Sequence, residues 1–402
     1  MNNSCTYVKL KDICDFINGD RGKNYPSIKD FVQKGIPFIN AGHIVENRLN
    51  FENMNYINEE KYEILGSGKI KKNDIVYCLR GSLGKNAIVE IDKGAIASSL
   101  VILRPKKNLV NTDYLFRYLN SKEIQEQINR ANNGSSQPNL SATSVKEFKI
   151  FLPDYDLQNK ISKTLIKAQE LIDKRKKQLE ALDELVKSRF IEMFGDPINN
   201  PKEWEVKKLK NISTKILSGN TPKGGSEVYV DEGIMFFRSQ NVWKNKLVLD
   251  DIAYIDKETH NKMLKSSLKN RDILMTKTGR INTENSSLGR AAMFLGEDDS
   301  ANINGHVYLI RLQKGEIIEF VLFILTTNEY RDYIRSVCVG GIDKRQINKE
   351  HLEEFPIIYP PIELQNQFAT FVNQVNKLKF EAQKSLTEME NNFNSLMQRA
   401  FK

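Results

Sequence analysis

Val8-Lys9-Leu10-Lys11-Asp12-Ile13, with Gly19 beyond it, returns about 200 residues later as Val206-Lys207-Lys208-Leu209-Lys210-Asn211-Ile212, with Gly219. The echo keeps its order along the chain. Gly35-Ile36-Pro37-Phe38-Ile39-Asn40 pairs with Gly233-Ile234-Met235-Phe236-Phe237-Arg238, and Lys72-Asn73-Asp74-Ile75-Val76 with Asn270-Arg271-Asp272-Ile273-Leu274. Ser82-Leu83-Gly84-Lys85-Asn86-Ala87 pairs with Ser287-Leu288-Gly289-Arg290-Ala291-Ala292. Phe148 to Pro153 and Leu157-Gln158-Asn159 pair with Phe355 to Pro360 and Leu364-Gln365-Asn366. Solenoid units run to about 20–50 residues, so this period excludes one. Each copy is long enough to be a domain with its own core. Two related but non-identical domains suggest two related but non-identical things to bind.

Each copy is followed by a long stripe in four-three alternation. The first is Ile161, Leu165, Ala168, Ile172, Arg175, Leu179, Leu182, Val186, Arg189 and Met193. The second, shifted by 207 residues, is Phe368, Val372, Val375, Lys379, Ala382, Leu386, Met389, Phe393, Leu396 and Ala400. Apolar spacing sustained this long marks a coiled-coil helix. Gly195 and Pro197 stop the first one. Neither stripe has a partner in its own copy, so the expectation is that the two pair antiparallel, with a pseudo-two-fold axis and a rod roughly 50 Å long. A helix folded onto its own domain, or a seam for a separate protein, is the alternative. The run Lys174-Arg175-Lys176-Lys177 reads as a solvated face, with Arg175 snorkelling outward at the level of Ala382.

The segments before the stripes read as α+β, with strand-like runs at Ile75 to Leu79, Ala95 to Leu103, Ile273 to Thr276 and Val307 to Leu312. Helical stretches, Asp113 to Arg130 and Glu316 to Val337, come late in each copy.

The chain has 402 residues, 28% of them charged, and a mean hydropathy of −0.48. Its longest apolar run, Phe320 to Leu325, is far short of the ~18 residues of a membrane span. The first residues lack the pattern of a signal peptide, and a cytoplasmic location is expected. A net charge of +9 and a pI of about 9.1 favour an acidic partner such as nucleic acid, although basic proteins that bind none are common. Cys5, Cys14, Cys78 and Cys338, like His43, His260, His306 and His351, are too dispersed to supply zinc ligands.

No catalytic signature emerges. Gly81-Ser82-Leu83-Gly84-Lys85-Asn86 lacks the spacing and the hydroxyl of a P-loop. Tyr359-Pro360-Pro361-Ile362 has a methyltransferase-like look but lacks the amide, and reads as a helix start. The polar residues that stand out end strand-like runs. They are Asn40, Arg80, Lys85, Gln137 and Asn139 in the first copy, and Arg238, Gln240, Lys277, Arg280, Arg290, Lys344 and Arg345 in the second. These side-chain types reach base edges in the major groove or neutralise phosphate. Each alone is also an ordinary surface residue; the set matters because it recurs in both copies.

The whole chain resembles the specificity subunit of type I restriction–modification systems. Ser188 to Pro197, with Asn200-Pro201 and Trp204-Glu205, resembles the family's exit from its central helix. Gly219-Asn220-Thr221-Pro222, Pro360 to Gln365 and Gln137-Pro138-Asn139-Leu140 resemble its characteristic turns. The first copy departs from the pattern: it lacks the double proline before Leu157-Gln158 and a Thr-Pro after Gly19. The resemblance implies target-recognition domains at 1–156 and 197–363 and spacer helices at 157–196 and 364–402. It further implies that each domain reads half of a bipartite, asymmetric double-stranded DNA site while the helices set the gap and dock two methylation subunits. Restriction subunits would join them; S-adenosylmethionine, ATP and magnesium would sit on those partners, with no cofactor or catalysis in this chain. A subunit serving a modification-only or type II-like methyltransferase fits the same residues. A non-catalytic coiled-coil scaffold is the reading from another class.

Overall fold

The computed structural model describes residues 6–132, 138–281, 283, 285–341 and 344–401. By contact the chain divides into two units, Met1–Lys177 with Gln383–Lys402, and Gln178–Ala382. Each unit therefore takes part of both long helices, Tyr155–Phe194 and Ile362–Phe401.

The first unit is built on an antiparallel sheet in the spatial order Cys14–Asn18, Leu100–Pro105, Ile75–Cys78, Asn86–Ile88. Both faces of its central strands are covered. Ile75, Tyr77, Val101 and Leu103 face a helical core, whereas Val76, Cys78, Leu100 and Ile102 face a second core. That is why these strands read as unbroken apolar runs instead of alternating. A second sheet runs Ala95–Ile96, Ile36–Ile39, Asn55–Ile57, Phe31–Val32, with its first pair parallel. Thr6–Lys9 pairs with Lys149–Leu152.

The second unit repeats this plan strand for strand. Its sheets run Ser213–Ser218, Val307–Leu312, Ile273–Thr276, Ala291–Met293, and Ala301–Ile303, Ile234–Phe237, Ala253–Ile255, Tyr229–Val230. Val206–Lys208 pairs with Pro356–Ile358. The repeat extends to single contacts. Arg104 holds the buried Asp74 as Arg311 holds the buried Asp272, each through Nε and Nη2. Glu147 is gripped by Lys9 and Lys11, and Glu354 by Lys208 and Lys210. The glycines that opened the repeat are needed for close backbone approach: a Cβ on Gly19 would lie 2.5 Å from the Ala97 carbonyl oxygen, and one on Gly219 would collide with that of Ile303.

Two expectations need correction. The run Ala95 to Leu103 is not one strand: Ala95–Ile96 and Leu100–Pro105 belong to different sheets. The late helical stretches are each broken in two, Thr112–Leu119 from Lys122–Ala131 and Ile318–Thr326 from Asn328–Val337. At each break a hydroxyl residue caps the new helix, Ser121 accepting from the Ile124 N–H and Thr327 from the Tyr330 N–H.

The seam behaves as expected, and none of its twenty positions is exposed. In the first unit Lys176 meets Glu390 at 3.2 Å, while Ile161 and Leu165 join a core with Phe393, Leu396 and Phe401. In the second, Asp183 pairs with Lys379 and the Phe190 ring lies 5.3 Å from that of Phe368. Rising numbers on one helix meet falling numbers on the other, so within each unit the two run antiparallel.

Candidate nucleic-acid interface

The strand Ile75–Cys78 leaves its sheet at Leu79 and Arg80, where it crosses the segment Pro138 to Leu140. The Leu140 N–H donates to the Leu79 carbonyl at 2.8 Å and the Gly81 N–H to that of Pro138 at 3.2 Å. Between these bonds Arg80 and Asn139 face each other as an antiparallel bridge, both exposed. Gln137 lies outside the described residues. The second unit makes the same crossing: the Ile347 N–H donates to the Lys277 carbonyl at 2.9 Å, and Thr278 faces Gln346. There it is enlarged into a small sheet of Thr278–Gly279, Arg345–Gln346 and Val339–Gly340. This brings Lys277, Arg280, Lys344 and Arg345 together, with Arg280 and Lys344 exposed.

Asn40 and Arg238 occupy equivalent caps, each ending a strand of the second sheet. The Asn40 Oδ1 accepts from the Gly42 N–H at 2.8 Å, and its own N–H donates to His43 Nδ1 at 3.1 Å. Burial pushes the His43 imidazole below its ordinary pKa, which favours the neutral acceptor form that this bond requires. Arg238 pairs with Asp251 at 3.1 Å, and Gln240 Nε2 donates to the same carboxylate at 3.2 Å. The hydrogen bond from Gln240, then the hydrogen bond and charge of Arg238, hold Asp251 below the usual carboxylate range. Asn40, Arg238 and Gln240 thus brace the turn that carries them.

Lys85 and Arg290 close equivalent glycine loops. Gly84 and Gly289 have φ of +77° and +70°, with Ile128 and Ile334 packed where a Cβ would stand. Lys85 lines an open depression of about 480 Å³ with Asn120, Ser121, Lys122 and Gln125. Arg290 is only 8% exposed; its Nε donates to the Ser286 carbonyl at 3.0 Å, and its guanidinium stacks 3.8 Å from the Trp243 ring. Burial, then the nearby Arg331, pushes its pKa below the ordinary value. The indole N–H of Trp243 donates to the Gln240 carbonyl at 3.1 Å, so one exposed ring ties two of the sequence-selected residues together. Trp243 lies outside the set of strand-end polar residues, although its setting, Trp243-Lys244-Asn245-Lys246, interleaves an aromatic with basic residues. Among the described residues no cluster of carboxylates, imidazoles and thiols is arranged to hold a metal, and no helix is long and apolar enough to cross a membrane.

The duplicated units have counterparts among known proteins. The family model described as the type I restriction modification DNA specificity domain matches twice, over residues 3–183 and 201–390. The chain belongs to this family. Its similarity to the specificity subunit of the type I restriction enzyme MjaVIII of Methanocaldococcus jannaschii is 24% identity over 295 residues, 70% of this chain and 68% of that one. The MjaIX specificity subunit of the same organism is 32% identical over 157 residues, 35% of each chain. Among solved structures, the S subunit of a type I restriction–modification system from M. genitalium superposes with a TM-score of 0.58 at 15% identity, covering 100% of this chain and 98% of that one. A chain solved in work on complex assembly and conformational transition of the type I R-M system gives 0.59 at 17%, covering 99% and 97%. These likenesses show that the specificity-subunit fold is shared.

Proposed function

We propose that this specificity-family chain directs a type I restriction–modification complex to DNA, each unit reading one half of a bipartite, asymmetric site. The observation that carries the reading is the duplicated crossing. One backbone pattern recurs in both units but presents Arg80 and Asn139 in the first and Thr278, Gln346 and their basic neighbours in the second. A shared scaffold with unlike side chains is what two readers of unlike half-sites require. The paired helices set the gap between half-sites and dock two methylation subunits. Leu171 and Leu378 occupy equivalent helix positions and stand 47% and 59% exposed, which suits two copies of one partner. S-adenosylmethionine, ATP and magnesium belong to the methylation and restriction subunits, and this chain supplies specificity without catalysis.

The test is methylation mapping of cells that carry the chain with residues 1 to about 150 exchanged for the matching segment of a relative. One half of the methylated sequence should change while the other half and the gap persist. An exchange that rewrites both halves overturns modular reading.

A further inference from the structure

Resting on the reading of the chain as a DNA-recognition subunit, we infer that the second unit carries a clamp for the DNA sugar–phosphate backbone that the first unit lacks. The clamp consists of Lys244, Arg331 and Arg335 beside the exposed ring of Trp243, with the nearly buried Arg290 adding its charge behind them. Lys244 stands at the tip of the hairpin formed by Val242–Trp243 and Lys246–Leu247. Its Nζ lies 3.4 Å from Asn328 Oδ1 at the start of the helix Asn328–Val337, and Asn245 Nδ2 lies 3.3 Å from Thr326 Oγ1, so the tip is tied to that helix. Arg331 and Arg335 are one turn apart on the same helix. The Ser286 carbonyl accepts from Arg290 Nε at 3.0 Å and from Arg331 Nη2 at 3.3 Å, which converges two guanidinium groups on one oxygen.

Such crowding of like charge costs free energy in the unbound chain. Burial first, and then Arg331, Arg335 and Arg290, depress the Lys244 ammonium below its ordinary pKa. Asp332 pairs with Arg335 at 2.9 Å and remains 73% exposed. Guanidinium forks match phosphate oxygens, and an open indole face accepts a sugar or base.

The first unit shows that the fold itself does not need these charges. At the equivalent positions it has Val45 for Trp243, Glu46 for Lys244, Lys85 for Arg290, Gln125 for Arg331 and Asn129 for Arg335. Lys122 replaces Asn328, and Glu126 replaces Asp332. Hairpin, glycine loop and capped helix are all conserved between the units, while the set is neutral in one and strongly cationic in the other. The charge is an addition to the scaffold, and a polyanion is its natural occupant.

The assembled complex with its methylation subunits is titrated with salt against a labelled random-sequence duplex and against a duplex carrying the mapped target. In the variant Lys244→Gln with Arg335→Gln, the slope of log affinity on log salt should become shallower by about two, since each lost phosphate contact removes about 0.9. Both duplexes should weaken alike, and the methylated sequence should not change. Glu46→Lys with Asn129→Arg, which transplants two of the cations into the first unit, should steepen the slope. An unchanged slope in either variant, or weakening confined to the target duplex, overturns the clamp and points to an acidic protein as the occupant. A wild-type complex without salt-dependent DNA binding overturns the DNA reading itself.

Discussion

Arg104 holds both oxygens of Asp74, Nε and Nη2 each donating at 2.8 Å to a carboxylate that is almost wholly buried. The same carboxylate accepts the Lys71 N–H at 2.7 Å, and Arg104 Nη2 reaches the Lys69 carbonyl at 3.4 Å. The pair therefore pins the turn before the strand Ile75–Cys78 to the neighbouring strand Leu100–Pro105. Asp74→Asn removes the charge and leaves the guanidinium only the more distant carboxylate of Asp15. Because Arg104 keeps 26% of its side chain exposed, the cost falls at the low end for buried pairs, about 3 kcal/mol. Melting should fall by roughly 6–12 °C for a unit of this size. Calorimetry of the variant, with Asp272→Asn as its counterpart in the second unit, checks this; a loss below about 1 kcal/mol would show that the pair stabilises little.

Glu147 gives the first unit an acid-sensitive staple. Lys11 and then Lys9 hold its carboxyl at about 2, against an ordinary value of 4.5. A carboxylate whose pKa is lower in the folded chain stabilises it wherever the unfolded group is ionised. The contribution is complete above about pH 4.5, shrinks as pH falls, and is gone below about 2. The gap in melting temperature between wild type and Glu147→Gln should thus be constant from neutral pH to about 4.5 and close below it. A gap that widens on acidification would contradict the assignment.

The coiled-coil seam predicts a sharper loss. Leu182 packs against the core that holds Phe190 and Phe368, and Leu179 is shielded one turn away. Replacing both with Asp places two charges in that seam, at a cost of several kcal/mol. Circular dichroism and DNA binding of the assembled complex should both deteriorate; intact folding and binding would mean that the seam is not what joins the helices.

Much of this could be read from the residues, and the failures have physical causes. The seam was legible because the period of apolar residues follows directly from helix geometry. The strands Ile273–Thr276 and Val307–Leu312 were legible because burial on both faces leaves an unbroken apolar run. The breaks at Ser121 and Thr327 were missed because each helix keeps its apolar face across the break, and only a capping hydroxyl betrays it. Arg290 looked like a surface cation because nothing near it in sequence announces Trp243, which reaches it only through the fold. The Arg104–Asp74 pair was invisible for the same reason, its partners being brought together by strand pairing alone. Arg80 and Asn139 are each legible as polar residues ending strand-like runs, but their meeting follows only from the topology.

Inserting one heptad into each long helix at matched levels adds about 10 Å to the pair. If the helices set the gap, the methylated site should widen by about three base pairs, at 3.4 Å each, with both halves unchanged. Some insertions will be silent, because added twist turns a unit away from its groove. Methylation maps that show an altered half-site at constant gap would count against the helices as a ruler.

Phe401 lies 5.0 Å from Tyr118 and 5.5 Å from Tyr114, in the core of the unit that begins the chain. The second unit, Gln178–Ala382, is by contrast one uninterrupted stretch. During synthesis the order of completion must then run against the order of appearance. The first unit emerges early but cannot close around Tyr114 and Tyr118 until Gln383–Lys402 has followed, whereas the second has all its parts beforehand. Domains ordinarily close in the order in which they are made, at about 5–20 residues per second. Here the earlier half waits, with an unfilled aromatic slot, while the later half folds, and protease protection of stalled nascent chains should appear in the second unit first.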